Sequence, residues 1–376
     1  MNASLRIVRD AFFCALREGK YMNIIEQYNL TLQIEVVKEQ SAETLAHLCK
    51  LVEASGNVNC EALLNAFSHI VNTELYMVAS VNDLEALKSD MVELENNIKE
   101  LLIQETQGVS TAKAVKEPSD LQDIESYNTE EFDKALERTI ELLTFNKNKS
   151  STPRAVILGG QSGAGKTTIH RVKMMESKGD YIVIDGDTYR AQHPHFRELQ
   201  VKYGVDSVDY TKVFAGKMVE AVIDKLSSLQ YNLIIEGTLR SAEVPIKTAT
   251  LLKSKGYTVD FCLIATKPEL SYLTTQLRYL EMMVVDPLQA RATPKAHHDG
   301  IVESLVSNSN TLEQSGLFES IQVYKRDLVQ VYDSKQCTEP VGTIVEQILF
   351  GAWTSDETDL LNLGKRQELD LQKQLH

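Results

Sequence analysis

The chain has 376 residues, 43% of them hydrophobic and 24% charged. That is room for two globular domains and no sign of disorder. Its formal net charge is −14, and the first hundred residues carry 15 Asp/Glu against 8 Lys/Arg, a balance that speaks against nucleic acid or an anionic membrane as partner. Five scattered cysteines without a CxxC pair argue against a disulfide framework or zinc site and for a reducing cytoplasm. Charges interrupt the opening MNASLRIVRDAFFCALREGK, so it does not read as a signal peptide, and no run reaches the roughly 18 apolar residues of a membrane span.

Residues 1–104 are expected to form a small antiparallel helical bundle. Leu30, Ile34, Val37, Leu45, Leu48 and Leu51 mark a first helix, and ASGNVN from Ala54 breaks it. Residues 61–71 add a short helix. From 72 to 104, Leu84, Leu87, Met91, Leu94, Ile98 and Leu101 recur at spacings of three and four among charged residues, a seam whose simplest role is to bury itself. Residues 105–122, ETQGVSTAKAVKEPSDLQ, lose all periodicity and read as a linker, on the order of 60 Å when extended. Thr129 is the expected N-cap of the helix that follows.

From residue 154 short apolar runs alternate with helical stretches: AVILGG, YIVIDGD, YNLIIEGT and VDFCLIATKP. This predicts an α/β domain over 123–354, a mostly parallel sheet flanked by helices with its ligand crevice at the carboxyl ends of the strands. A polar tail, 355–376, is expected to be helical or frayed.

GGQSGAGKTTIHR, residues 159–171, holds the pattern GxxxxGK[ST] between a strand and a helix. Glycines let consecutive backbone N–H groups turn toward phosphate oxygens, and the helix N-terminus adds its dipole. Gly160, Gln161, Ser162, Gly163, Ala164, Gly165, Lys166, Thr167 and Thr168 are therefore expected to hold ATP. Lys166 would reach the β and γ phosphates, and the Thr167 hydroxyl would hold Mg2+. No NKxD-like guanine signature is present, which favours a kinase over a GTPase. Asp187, two residues after Asp185 in IDGDTYR, is placed to take a proton from an acceptor hydroxyl, although a turn role fits its spacing as well. Glu236 and Thr238 end a strand where a polar acceptor would lie. Arg278 and Arg291 could stabilise transferring charge, whereas most helix-surface arginines are only solvated. His297-His298-Asp299 lacks a third metal ligand and reads as polar surface.

These motifs, with IDGDTYRAQHPHF, FAGKMVEAVIDKL, IEGTLR, LIATKPELSYL and QARATPKAHHD, follow the order seen in the zeta toxin family, and the chain is similar to its PezT-type branch over roughly 123–353. The resemblance implies a P-loop kinase fold and ATP-dependent phosphorylation of the 3-hydroxyl of the sugar in UDP-N-acetylglucosamine, which blocks peptidoglycan synthesis. It implies Asp187 as catalytic base, with Lys166, Arg278 and Arg291 in the catalytic set and Glu220, Glu236, Thr238 and Arg240 in the acceptor pocket. NIIEQYNLTLQIEVVKEQSAETLAHL resembles the C-terminal helical part of a PezA-type antitoxin. Residues 1–22 are too short for that antitoxin's helix-turn-helix, so no DNA binding is expected. Toxin and antitoxin would share one chain, the bundle restraining the kinase in cis by covering the ATP site. Two other readings stay open: a nucleotide-dependent switch whose bundle docks a partner or builds an oligomer, and a kinase with a different small-molecule acceptor.

Overall fold

In the computed structural model residues 24–108, 124–287 and 290–375 are described. Residues 109–123, most of the expected linker, and residues 1–23, which bear on the helix-turn-helix, lie outside them; residues 105–108 continue a helix.

Four helices form the amino-terminal part and its junction: α1 (Ile24–Ser55), α2 (Val58–Asn72), α3 (Val81–Gly108) and α4 (Thr129–Thr144). Gly56, at φ 68°, ends α1. The Asn57 side chain then accepts from the Asn59 N–H at 2.8 Å and opens α2. Leu84, Leu87, Met91 and Ile98 of the seam are buried against Leu30, Ile34, Leu48 and Phe67, with Leu94 and Leu101 at the margin. The cap of α4 is Asn128 rather than Thr129. Its side chain accepts from the Glu131 N–H while Glu131 accepts from the Asn128 N–H, both at 2.9 Å, a reciprocal pair that Thr129 could not make from inside the helix.

The second part is a six-stranded sheet with order β2-β3-β1-β4-β5-β6. The strands are β1 (Arg154–Gly159), β2 (Ile182–Ile184), β3 (Leu233–Glu236), β4 (Thr258–Ile264), β5 (Ile321–Tyr324) and β6 (Gln330–Asp333). All neighbours run parallel except β5 and β6. The two last strands, IQVY and QVYD, are short and mix polar with apolar residues, so they lack the apolar runs that reveal the other four. Helices α5 (Lys166–Glu176), α6 (Phe196–Tyr203), α7 (Ser207–Ser228), α8 (Glu243–Ser254), α9 (Pro268–Val285), α10 (Lys295–Gln314), α11 (Val341–Phe350) and α12 (Ser355–Leu375) surround it.

Strand periodicity splits the sheet's side chains between two cores. Ala155, Ile157, Leu233, Ile235, Phe261 and Leu263 meet helices α7, α8, α10 and α11. Val156, Leu158, Ile234, Cys262 and Ile264 meet Ile169 and Met174 of α5, and also Tyr76, from a 3₁₀ turn (Glu74–Met77) of the amino-terminal part. The amino-terminal part thus supplies some of the cover of this face. Helix α12 lays Leu360 against Leu270, Leu273 and Leu277 of α9, where Tyr28 and Leu32 of α1 join them. Truncating Ile98, fully buried in the bundle, to alanine is expected to cost about 2–5 kcal/mol, read as a lower urea midpoint.

Candidate active site

Residues 160–168 join β1 to α5 at the carboxyl edge of the sheet. Gly160 has φ 143° and Gly163 φ 74°; a Cβ on Gly163 would stand 2.1 Å from the Ser271 carbonyl oxygen, and one on Gly160 2.4 Å from that of Ile264. Only bare backbone fits there. Gln161 is buried and donates Nε2 to the Thr266 carbonyl at 2.7 Å. No side chain caps the N-terminus of α5, which leaves its first N–H groups for an anion. Lys166 Nζ lies 3.4 Å from the Gly160 carbonyl and 3.7 Å from Glu236 Oε1. The parallel register that puts Leu158 beside Glu236 explains that approach. Backbone cradle, lysine, open helix end and threonine hydroxyl fit a polyphosphate with its metal ion.

Helix α1 lies across this cradle. The Thr167 hydroxyl donates to Glu35 Oε1 at 3.0 Å, and Thr31 Oγ1 is 3.3 Å from Thr168 Oγ1. Lys38 donates to Asp185 Oδ2 at 2.5 Å, with both side chains buried. Glu39 holds Arg291 at 2.8 Å and Arg278 at 3.5 Å, and Glu35 is 3.7 Å from Arg278. Burying an unpaired charge is costly, and Glu35, Lys38 and Glu39 each meet their opposite across the junction. Behind the cradle, Arg171 of α5 donates to the Val78 carbonyl, and the Tyr76 ring packs edge-on to His170 with centroids 5.4 Å apart.

The electrostatics follow from that burial. Desolvation pushes Lys38 toward neutrality, but the Asp185 carboxylate outweighs it and holds the ammonium well above its ordinary range. Desolvation likewise opposes charge on Asp187, and the Arg291 and Arg190 guanidiniums prevail, keeping it ionised. Arg190 Nε is 3.0 Å and Arg291 3.7 Å from Asp187 Oδ1; the carboxylate is still 53% exposed, so water tempers the effect. Glu236 goes the other way. Burial, then the nearby Asp185 charge, raises it from 4.5 to about 7. Burial pushes His170 down to about 3, so this imidazole, 3.3 Å from Glu236 Oε2, is neutral.

The structure therefore gathers Lys166, Thr167, Asp187, Glu236, Arg278 and Arg291 around one crevice. Asp187, Arg190, Gln200, Thr211 and Arg291 line a cleft there, closed on the other side by Glu39 and Glu43. Arg240 is exposed and does not line this cleft; it stands 3.4 Å from His297 Nδ1. Glu220 stands apart on the exposed face of α7, 3.4 Å from Lys247. His297-His298-Asp299 is not uniformly polar surface: His298 is fully buried and bonds Ser271 Oγ at 2.8 Å. Among the described residues no group of acids, histidines and cysteines is set to hold a metal, and no helix is long and apolar enough to cross a membrane. Sequence reasoning missed Tyr28, Thr31, Glu35, Lys38 and Glu39. Polar residues are spread along the whole of α1, so nothing in the sequence sets these five apart.

Strand order, glycine cradle and lysine define a P-loop kinase-like fold. The zeta toxin family profile matches residues 140–337. The toxin PezT of Streptococcus pneumoniae serotype 4 is 56% identical over 244 residues, 65% of this chain and 96% of that toxin. The toxin zeta of Streptococcus pyogenes is 42% identical over 211 residues, 56% of this chain and 74% of that toxin. A solved chain from the structural characterization of the PezAT chromosomal toxin–antitoxin system of S. pneumoniae shares 50% identity at a TM-score of 0.62, covering 67% of this chain and 100% of that one. The antitoxin PezA of the same organism is 31% identical over 74 residues, 18% of this chain and 47% of the antitoxin. The chain belongs to the zeta toxin family of kinase-type toxins, and carries an antitoxin-like helical segment ahead of its toxin domain.

Two measurements check the site's electrostatics. Lys38→Met leaves Asp185 buried without its cation and should cost about 3–5 kcal/mol in chemical denaturation, much of it recovered when Asp185→Asn is added. The elevated Glu236 pKa means that its contribution to stability is complete below 4.5 and is lost as pH rises through about 7. Glu236→Gln should therefore raise stability at pH 8 by about 1–3 kcal/mol and change it little at pH 4.

Proposed function

We propose that residues 123–354 are an ATP-dependent kinase that phosphorylates the 3-hydroxyl of the sugar in UDP-N-acetylglucosamine, and that residues 1–104 restrain it in cis. In this reading 109–122 is the tether, 355–376 a tail, and the protein works in the cytoplasm. The observation that carries the restraint is the placement of Glu35 and Glu39: two carboxylates of α1 stand on the Thr167 hydroxyl and on both arginines. Those are the groups a metal-bound triphosphate would need.

With α1 displaced, residues 160–168 and the N-terminus of α5 bind the phosphates, and Lys166 lies beside the β and γ positions. The Thr167 hydroxyl would hold Mg2+, which supplies neutralisation of phosphate charge when bound. Asp187, ionised and steered by Arg190, accepts the proton of the sugar hydroxyl as the new oxygen–phosphorus bond forms and the bond to ADP breaks. Arg278 and Arg291 take up charge on the transferring group. The cleft beside Asp187 is where the acceptor sits; Glu236, Thr238, Arg240 and Glu220 are the further acceptor residues that the zeta toxin motifs support. The acceptor's identity is supported by the ordered zeta toxin motifs and not by contacts in the crevice.

Tethering gives the bundle an effective concentration of about millimolar, so the restraint yields only when docking itself weakens. In the full-length chain, Glu35→Ala with Glu39→Ala removes two charge partners of Arg278 and Arg291. ATP affinity measured by calorimetry is expected to rise by about 100-fold or more, and mass spectrometry should detect phosphorylated UDP-N-acetylglucosamine. Equal ATP affinity in the intact and altered chains would remove the restraint, and an ATP-binding chain that leaves the sugar nucleotide unmodified would remove the acceptor assignment.

A further inference from the structure

We propose that His298 is a positioning residue for the glycine loop: through Ser271 it holds the Gln161 side chain, and with it the turn at residues 160–163 that receives the phosphates. This rests on the phosphate-binding reading above and adds to it what keeps the loop in shape. The loop leans on the start of α9 through three contacts. Gln161 Nε2 donates to the Thr266 carbonyl at 2.7 Å and stands 3.4 Å from Ser271 Oγ. The Gly163 backbone runs so close to the Ser271 carbonyl that no side chain fits between them. Ser271 Oγ in turn meets His298 Nε2 at 2.8 Å. His298 belongs to the first turn of α10, and its Nδ1 is 3.2 Å from Asp299 Oδ1. The other Asp299 oxygen accepts from Lys295 Nζ at 2.6 Å. Gln161, Ser271 and His298 are all fully buried.

The protons along this line can be placed. The Lys295 hydrogen bond holds the Asp299 carboxyl below its ordinary range, and an ionised carboxylate only accepts, so the His298 proton sits on Nδ1. Burial lowers the His298 pKa against the pull of Asp299, which leaves Nε2 without a proton. The hydrogen between Nε2 and Ser271 Oγ is therefore the serine's, and the serine lone pairs face the Gln161 amide. Gln161 donates to Ser271, Ser271 to His298, and His298 to Asp299. Satisfying Ser271 does not require this arrangement. The Pro268 carbonyl stands 3.0 Å from its hydroxyl, the local bond that a serine in a helix ordinarily makes. Burying an imidazole beside it costs desolvation, and what the imidazole adds is one fixed direction for the hydroxyl. The Tyr272 ring, 5.3 Å from the His298 ring, packs against it beneath Lys295. A loop held in its bound shape before the phosphates arrive loses less freedom when it binds them.

The test uses the full-length chain carrying Glu35→Ala and Glu39→Ala, with ADP as the probe in calorimetry and urea midpoints measured alongside. Adding His298→Leu fills the space and removes the acceptor. ADP should then bind about tenfold more weakly, the worth of one buried hydrogen bond. His298→Gln returns a polar atom near the place of Nε2 and should recover ADP affinity to within about threefold of the parent. Ser271→Ala should cost as much as His298→Leu, and the two together no more than either alone, because both act along one line. A merely structural role would lower the urea midpoint and leave the ADP affinity of the folded chain unchanged. That result, equal losses with leucine and glutamine, or losses that multiply in the double variant, each overturn the positioning role while leaving the phosphate site standing. No ADP binding before His298 is changed overturns the phosphate-binding reading and this inference with it. Should His298→Leu fail to fold, Ser271→Ala, which removes one oxygen, still decides by the same loss of ADP affinity.

Discussion

A charge taken out of water must meet its opposite, and that requirement organises the junction of this chain. Helix α1 carries Glu35, Lys38 and Glu39 into a crevice whose own groups are Thr167, Asp185, Arg278 and Arg291. Each finds a partner there. The complementarity exists because a site built for a polyphosphate is necessarily rich in cations and hydroxyl donors, and a helix presenting carboxylates at one-turn spacing can satisfy the same donors. Catalytic competence and a docking face are thus one property of the crevice.

The rest of the architecture supports that contact along α5. At the amino end, Thr31 meets Thr168; further along, Tyr76 and Val78 close on His170 and Arg171. The turn holding Tyr76 shares a core with β1, β3 and β4, so the amino-terminal part is packed into the kinase rather than resting on its surface. Helix α12 completes the frame: Leu360 joins Tyr28 and Leu32 over α9, and Gln367 Nε2 donates to Asn29 Oδ1 at 3.0 Å.

What could be read from the sequence divides along local and non-local lines. The glycine loop, the four apolar strands and the Leu84-to-Leu101 seam announce themselves because their signals are local: bare backbone before a lysine, uninterrupted apolar runs, spacing of three and four. Strands β5 and β6 do not, since each is four residues long and mixes polar with apolar side chains. Glu35 and Glu39 look like ordinary solvated charges in QIEVVKEQ; their meaning comes from partners more than a hundred residues away. His298 also reads as surface until Ser271, 27 residues earlier in the chain, closes over it. The Asn128 cap is a local feature misplaced by one residue, because asparagine and threonine both cap well and only the Glu131 return bond separates them.

Under the proposed restraint, α1 and the nucleotide compete for one space. Amide hydrogen exchange across residues 28–43 of the full-length chain, followed as MgATP is titrated, tests it most directly. Competition predicts that every increment of bound nucleotide brings a matching loss of protection in that helix. Nucleotide that saturates the chain while those amides stay protected would contradict it.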